Sequence, residues 1–101
     1  MDPERISDFN ISDVVVTTAG RDHGKLFYVI GTDPVYLELA NGKDRTLDKP
    51  KRKKRKHVAK VLRSETRVAE KLRLGDKVLN SELRRDLAYL SREMQGNNLG
   101  G

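Results

Sequence analysis

Apolar residues in the first sixty positions fall in short runs or alternate with polar ones, whereas those in the last forty recur at helical spacing. Residues 13–18, with Val14, Val15, Val16 and Thr17, are β-branched and predict a strand. Residues 25–32 predict a second, centred on Phe27, Tyr28, Val29 and Ile30. Asp33-Pro34 interrupts the pattern, and the position before a proline favours extended backbone. Val35, Leu37 and Leu39 then alternate with Tyr36 and Glu38, the period of a half-buried strand. Asn41-Gly42 predicts a two-residue hairpin turn, because both residues accept positive φ cheaply. Residues 43–47 should therefore pair back on 35–39 as a fourth strand, and Val58, Val61 and Leu62 mark a fifth. Successive side chains of a strand face opposite sides. Phe27 and Tyr28 accordingly cannot both be core; Phe27 is assigned to it, and Tyr28 or Tyr36 is expected to be partly exposed.

Helical spacing begins after residue 63. Ser64 is the expected N-cap of a helix carrying Val68, Ala69 and Leu72, and Gly75 supplies its left-handed stop. Asn80 or Ser81 caps a second helix with Leu83, Leu87, Leu90 and Met94 on one face, ending at Gly96. Glu65 and Glu82 suit the positive ends of these helices. Both helices are amphipathic and too short to stand alone, so they must pack on the strands, on each other or on a partner. Short strands and tight turns over about fifty residues predict a mostly β fold, a small SH3-like barrel of about five strands followed by a short C-terminal helical pair. The expected organisation is a flexible lead-in over 1–10, the barrel over 11–63, the helical appendage over 64–95 and a disordered tail over 96–101. Ile6, Phe9 and Ile11 are expected to tuck against the barrel.

Charge sharpens this picture. The net charge is +6 over 101 residues, but residues 1–42 carry −4, residues 43–63 carry +9 and residues 64–101 carry +1. Positions 49–56 hold seven cations, Lys49, Lys51, Arg52, Lys53, Lys54, Arg55 and Lys56, interrupted by Pro50 alone. Such a run repels itself, and neutralising phosphates relieves the repulsion while releasing counterions. A solvated loop and a nuclear localisation signal are competing readings of the same run. Read as a loop, it predicts that alanine at Lys51, Lys53, Lys54 and Lys56 weakens RNA binding and leaves the melting temperature unchanged.

Other chemistry is sparse. Gly20-Arg21-Asp22-His23-Gly24-Lys25 could bring backbone close to a ligand, though a plain turn explains the glycines as well. A nucleotide P-loop is rejected, since the spacing is one residue short and Leu26 stands where Ser or Thr must be. Without cysteine, and with only His23 and His57, a metal site has too few ligands. The carboxylates are scattered, and no nucleophile–base pair or cofactor loop stands out, so neither an enzyme nor a cofactor is expected. The polar, acidic start lacks the apolar run of a signal peptide and no stretch is apolar enough to span a membrane, which predicts a soluble cytoplasmic protein.

Four stretches resemble a known family. They are Ala19-Gly20-Arg21-Asp22-His23-Gly24-Lys25, Phe27-Tyr28-Val29-Ile30, Asn41-Gly42-Lys43-Asp44-Arg45, and the run from Lys49-Pro50 through the cations to His57-Val58. Together they resemble the bacterial KOW-domain RNA-binding proteins, similar to KOW-type large-subunit ribosomal proteins of archaea and eukaryotes. The likeness covers about half the chain, from Val14 to Val58, and continues faintly through 68–74 and 80–87. Asn41-Gly42 stands where the family often has Asp-Gly, a swap that keeps the turn chemistry. The resemblance implies an SH3-like barrel that binds structured RNA, most often ribosomal RNA of the large subunit, in translation. It makes Gly24 the motif glycine and turns Gly20, Arg21, Lys25, Arg45, His57 and the cations of 49–56 toward RNA. A protein-interaction adaptor is the alternative, with the barrel or the amphipathic tail holding a ribosomal or other protein partner.

Overall fold

In a computed structural model, residues 9–100 are described, with side chains through Gln95. Five strands, Asp13–Thr17 (β1), Leu26–Thr32 (β2), Tyr36–Ala40 (β3), Lys51–Lys54 (β4) and Val58–Arg63 (β5), form one antiparallel sheet in the order β4-β3-β2-β1-β5. A 3-10 turn, Arg55–His57, links β4 to β5. Helices Arg67–Leu74 (α1) and Asn80–Gly100 (α2) follow. The mostly β fold of five strands and two helices is the one expected. Val58 of β5 shares a cluster with Leu37 and Leu39 of β3, although two strands separate them in the sheet. The sheet is therefore strongly curled, helped by register shifts at Val14/Val15 and Val29/Gly31, where bulges add twist.

Two expectations about the strands are corrected. Residues 43–47 form no strand. The partner of β3 is β4, in the register Leu39↔Lys51 and Leu37↔Lys53, so the basic run is a strand and a 3-10 turn instead of a loop. Asn41-Gly42 opens a wider connection. Gly42 has φ 77°, and the Asn41 side chain accepts the Lys43 and Arg45 amides at 2.9 and 3.0 Å. This satisfies the backbone locally and leaves no ladder for 43–47 to join. Secondly, Phe27 and Tyr28 are both fully buried. Alternation holds, but each face of the sheet is covered. Phe27 joins Val15, Val29, Leu37, Leu39 and Val58 inside the curl, with Phe9 packed against them. Tyr28 joins Val14, Ala40, Ala69, Leu83 and Leu87 beneath the helices. Tyr36 is the partly exposed aromatic. Ile11 is half-buried, and Ile6 lies outside the described residues.

The helices dock through named polar contacts. Thr66, rather than Ser64, caps α1 by accepting the Ala69 amide at 3.2 Å, and Gly75 ends it in the left-handed conformation, as expected. Ser64 is diverted to the buried Tyr28 hydroxyl, 2.8 Å from its Oγ, and that hydroxyl donates its proton to Asp86 of α2. Glu65 lies before α1 and pairs with Arg63 and Arg73. At the start of α2 the Glu82 carboxylate accepts the Leu79 amide at 2.9 Å and the Lys71 ammonium at 3.0 Å. These bonds hold its carboxyl below the ordinary glutamate range. Asn80 does not cap α2; its side-chain oxygen accepts the Leu47 amide at 2.8 Å and pins the 41–50 connection. Helix α2 continues through Gly96 to Gly100, because glycine weakens a helix by about 1 kcal/mol without ending it.

Two outcomes follow. A Cβ at Gly42 would lie 2.2 Å from the Asn80 carbonyl oxygen at a positive φ. Gly42→Ala should cost more than about 2 kcal/mol in urea unfolding, from left-handed strain and displacement of α2; a loss under ~0.5 kcal/mol would show that α2 does not press on this turn. Burial, and then the Asp86 carboxylate, push the Tyr28 phenol up to about 12. The unfolded chain releases this proton near 10. Stability should therefore fall by about 1.4 kcal/mol per pH unit above that value. Tyr28→Phe should be less stable than wild type at about pH 9 and lose less on going to about pH 11. Parallel pH profiles for the two proteins would contradict this burial.

Candidate functional site

The loop between β1 and β2 folds as consecutive turns. Gly20 and Gly24 hold φ 89° and 87°. His23 and Lys25 donate their amides to the Gly20 and Asp22 carbonyls, and the Gly24 amide reaches Thr17 O at 2.9 Å. The hydroxyl of Thr17, buried on β1, donates to the Asp22 carbonyl. These bonds turn the Asp22 carboxylate toward the sheet, where its side chain is only 11% exposed.

Asp22 collects cations from three segments. Lys51 Nζ of β4 lies 3.1 Å from it, Lys25 Nζ 3.7 Å and Arg45 Nη2 3.8 Å. The Lys51 ammonium beside it is the main reason that the Asp22 carboxyl sits below the usual aspartate range, against the opposing effect of burial. Lys25 also bonds Asp44 at 2.8 Å. One strand pleat further along β4, Lys53 Nζ donates to the Ala19 carbonyl at 2.8 Å. Lys51 and Lys53 stand opposite Leu39 and Leu37, on the inner face of the curl. Their stems cover that face while their heads reach the β1–β2 loop, and so they fasten the loop to the open edge of the sheet.

The other face of β4 points outward. The Arg52 guanidinium lies 4.2 Å from the centre of the Tyr36 ring and 3.2 Å from Asp33 Oδ2. Asp33 Oδ1 accepts the Val35 and Tyr36 amides at 2.9 and 2.7 Å, which, with Arg52 close by, lowers its carboxyl pKa. Arg55 Nε donates to the Asp33 carbonyl at 2.8 Å, and its guanidinium lies 5.7 Å from the Phe9 ring centre. Arg21, Lys49, Lys54 and Lys56 form no ion pair among the described residues, and their side chains are exposed. His57 is half-buried, with its carbonyl accepting the Thr18 amide at 2.9 Å, and His23 is exposed.

The thirteen residues read as an RNA surface thus lie in three connected segments, the β1–β2 loop, the 41–50 connection, and β4 with its 3-10 turn. Lys25, Arg45 and Lys51 come together on Asp22, whereas Arg52 and Arg55 come together at Asp33. Asp22 and Asp33 were missed as organisers. Asp33-Pro34 carried a signal, since aspartate before a turn accepts amides two and three residues on. Asp22 carried none beyond its place between the glycines. Among the described residues no group of three metal-ligating side chains occurs, and no helix is long and apolar enough to cross a membrane. Compared with family models and with curated proteins, the chain matches none.

The melting temperature expected for the basic run is revised by this geometry. Lys51→Ala strips a mostly buried carboxylate of its nearest cation and should cost about 1–2 kcal/mol, a fall of several degrees in Tm. Lys54→Ala and Lys56→Ala should stay within about 0.5 kcal/mol of wild type. Thermal melts of the three variants check this, and equal melting for all three would return Lys51 to a solvated role.

Proposed function

We propose that the chain is a non-catalytic RNA-binding protein that contacts ribosomal RNA of the large subunit through β4, its 3-10 turn and the β1–β2 loop fastened to them. The observation that carries the reading is the presence of Arg21, Lys54 and Lys56 along these joined segments, with Lys49 in the connection leading into β4, all exposed and without ion pairs among the described residues. Carboxylates neutralise part of the run from within. The remaining positive field is directed at a polyanion. The resemblance to KOW-domain proteins at Gly24, Arg45 and the basic run points the same way, and to a cytoplasmic role in translation. Phosphates would meet lysine and arginine heads held at a fixed spacing, so the shape of the RNA sets the site more than base identity does.

Four phosphate contacts imply a log–log salt slope of about −3, a tens-fold loss of affinity between about 50 and 200 mM salt. Co-sedimentation with separated ribosomal subunits on density gradients tests the reading. Migration with the large subunit at low salt, weakened at high salt, is the expected outcome. A chain that stays at the top of the gradient at both salts refutes it.

A further inference from the structure

We propose that the outer face of β3 and β4 is a stacking site for one unpaired nucleobase, built from the Arg52 guanidinium seated on the Tyr36 ring. The inference rests on the RNA-binding reading and specifies which part of an RNA this face takes.

The guanidinium plane is fixed before any ligand arrives. Its underside rests on Tyr36 at 4.2 Å, and Asp33 Oδ2 holds its edge at 3.2 Å. Asp33 is itself held by two backbone amides at the start of β3. Arg52 nevertheless remains 59% exposed, so the plane is available from the solvent side. With its charge already matched by Asp33, Arg52 is poorly suited to a phosphate, which would meet the carboxylate as well. What it offers is a flat, polarised surface, and nucleobases stack on arginine planes as they do on aromatic rings.

The surroundings fit the same ligand. Lys54 follows on the same face of β4, cross-strand from Tyr36, exposed and without an ion pair among the described residues. It is placed to meet a phosphate beside the stacked base. Glu38 is cross-strand from Arg52, but its carboxylate leans over Gly31 of β2, where an added Cβ would lie 3.0 Å from Oε1. That glycine lets the acid lie away from the platform. A paired base hides both its faces in the helical stack, so the ligand is a base in a loop, bulge or single strand.

Anisotropy titrations with two labelled probes, an unstructured oligoadenylate and a blunt RNA duplex of equal length, test the site. Arg52→Lys keeps the charge and removes the plane. It should weaken oligoadenylate binding about tenfold, with an unchanged salt slope and unchanged duplex affinity. Tyr36→Leu should act in the same direction, and Lys54→Ala should instead flatten the salt slope by about 0.7. The chain has no tryptophan, so Tyr36→Trp supplies a single indole, excited apart from the remaining tyrosines, whose emission oligoadenylate should quench and duplex should not. Arg52→Lys binding oligoadenylate as wild type does, or losing both probes equally, overturns the stacking site. Wild type that binds duplex alone overturns it while leaving the RNA reading intact, and wild type that binds neither probe overturns both.

Discussion

A phenol buried between a sheet and two helices costs several kcal/mol unless its hydroxyl finds partners, and Tyr28 finds them on two separate segments. Ser64 and Thr66 belong to the link between β5 and α1, and Asp86 belongs to α2. Thr66 also donates to Asp86 at 2.8 Å while capping α1. The four groups satisfy one another, so sheet, link and long helix are positioned by a single polar cluster within an apolar layer. Arg73 ties the far end of α1 to the start of β1, donating to Ser12 and to the Ser64 carbonyl at 2.8 and 2.9 Å. Without the helices the outer faces of Val14, Tyr28 and Ala40 would meet water. The helical pair therefore completes the core, and is more than an appendage to a barrel.

That second core explains how a chain with only 36% apolar residues folds. Strands β1 and β2 are apolar on both faces, one face supplying the interior of the curl and the other the seat of the helices. Strand β4, by contrast, carries no apolar residue. Its inner face is covered by lysine stems, an arrangement that works because Asp22 and the Ala19 carbonyl receive their heads. Charge and fold are thus coupled at one place. The loop that presents Arg21 is fastened by cations that are not themselves left over for a ligand.

Much of this was legible in the sequence. Strands β1, β2, β3 and β5 and the left-handed stop at Gly75 follow from local chemistry, and the structure has them within a residue or two. The runs Val14-Val15-Val16 and Phe27-Tyr28-Val29-Ile30 also carried the evidence for two-sided burial, since strands covered on both faces read as continuous apolar runs. Three features were hidden for a physical reason. β4 has no apolar residue, so hydrophobic period could not reveal it, and Asn41-Gly42 offered a tighter hairpin that local rules prefer. Ser64 and Asn80 are good caps in isolation, but distant groups, Tyr28 and Leu47, claim their oxygens. Asp22 and Asp33 gain their roles mainly from cations nineteen or more residues away. The site residues named from the sequence do lie in joined segments, but their division into fasteners and outward heads required the register of β4 on β3.

That register also places the cations of β4 on backbone that is already ordered. Ordering a flexible basic loop on a ligand costs about 1–2 kcal/mol per residue, whereas the backbone of β4 is already fixed by its ladder to β3. Alternation then sorts its cations without further design, Lys51 and Lys53 inward, Arg52 and Lys54 outward. An exposed edge strand is a template for unwanted pairing, and lysines along it are a common protection. In this chain the inward lysines hold the β1–β2 loop, and the outward Arg52 and Lys54 leave the sheet edge lined with cations. A substitution in β4 therefore acts according to the parity of its position. Inward positions report on the loop and outward ones on the surface.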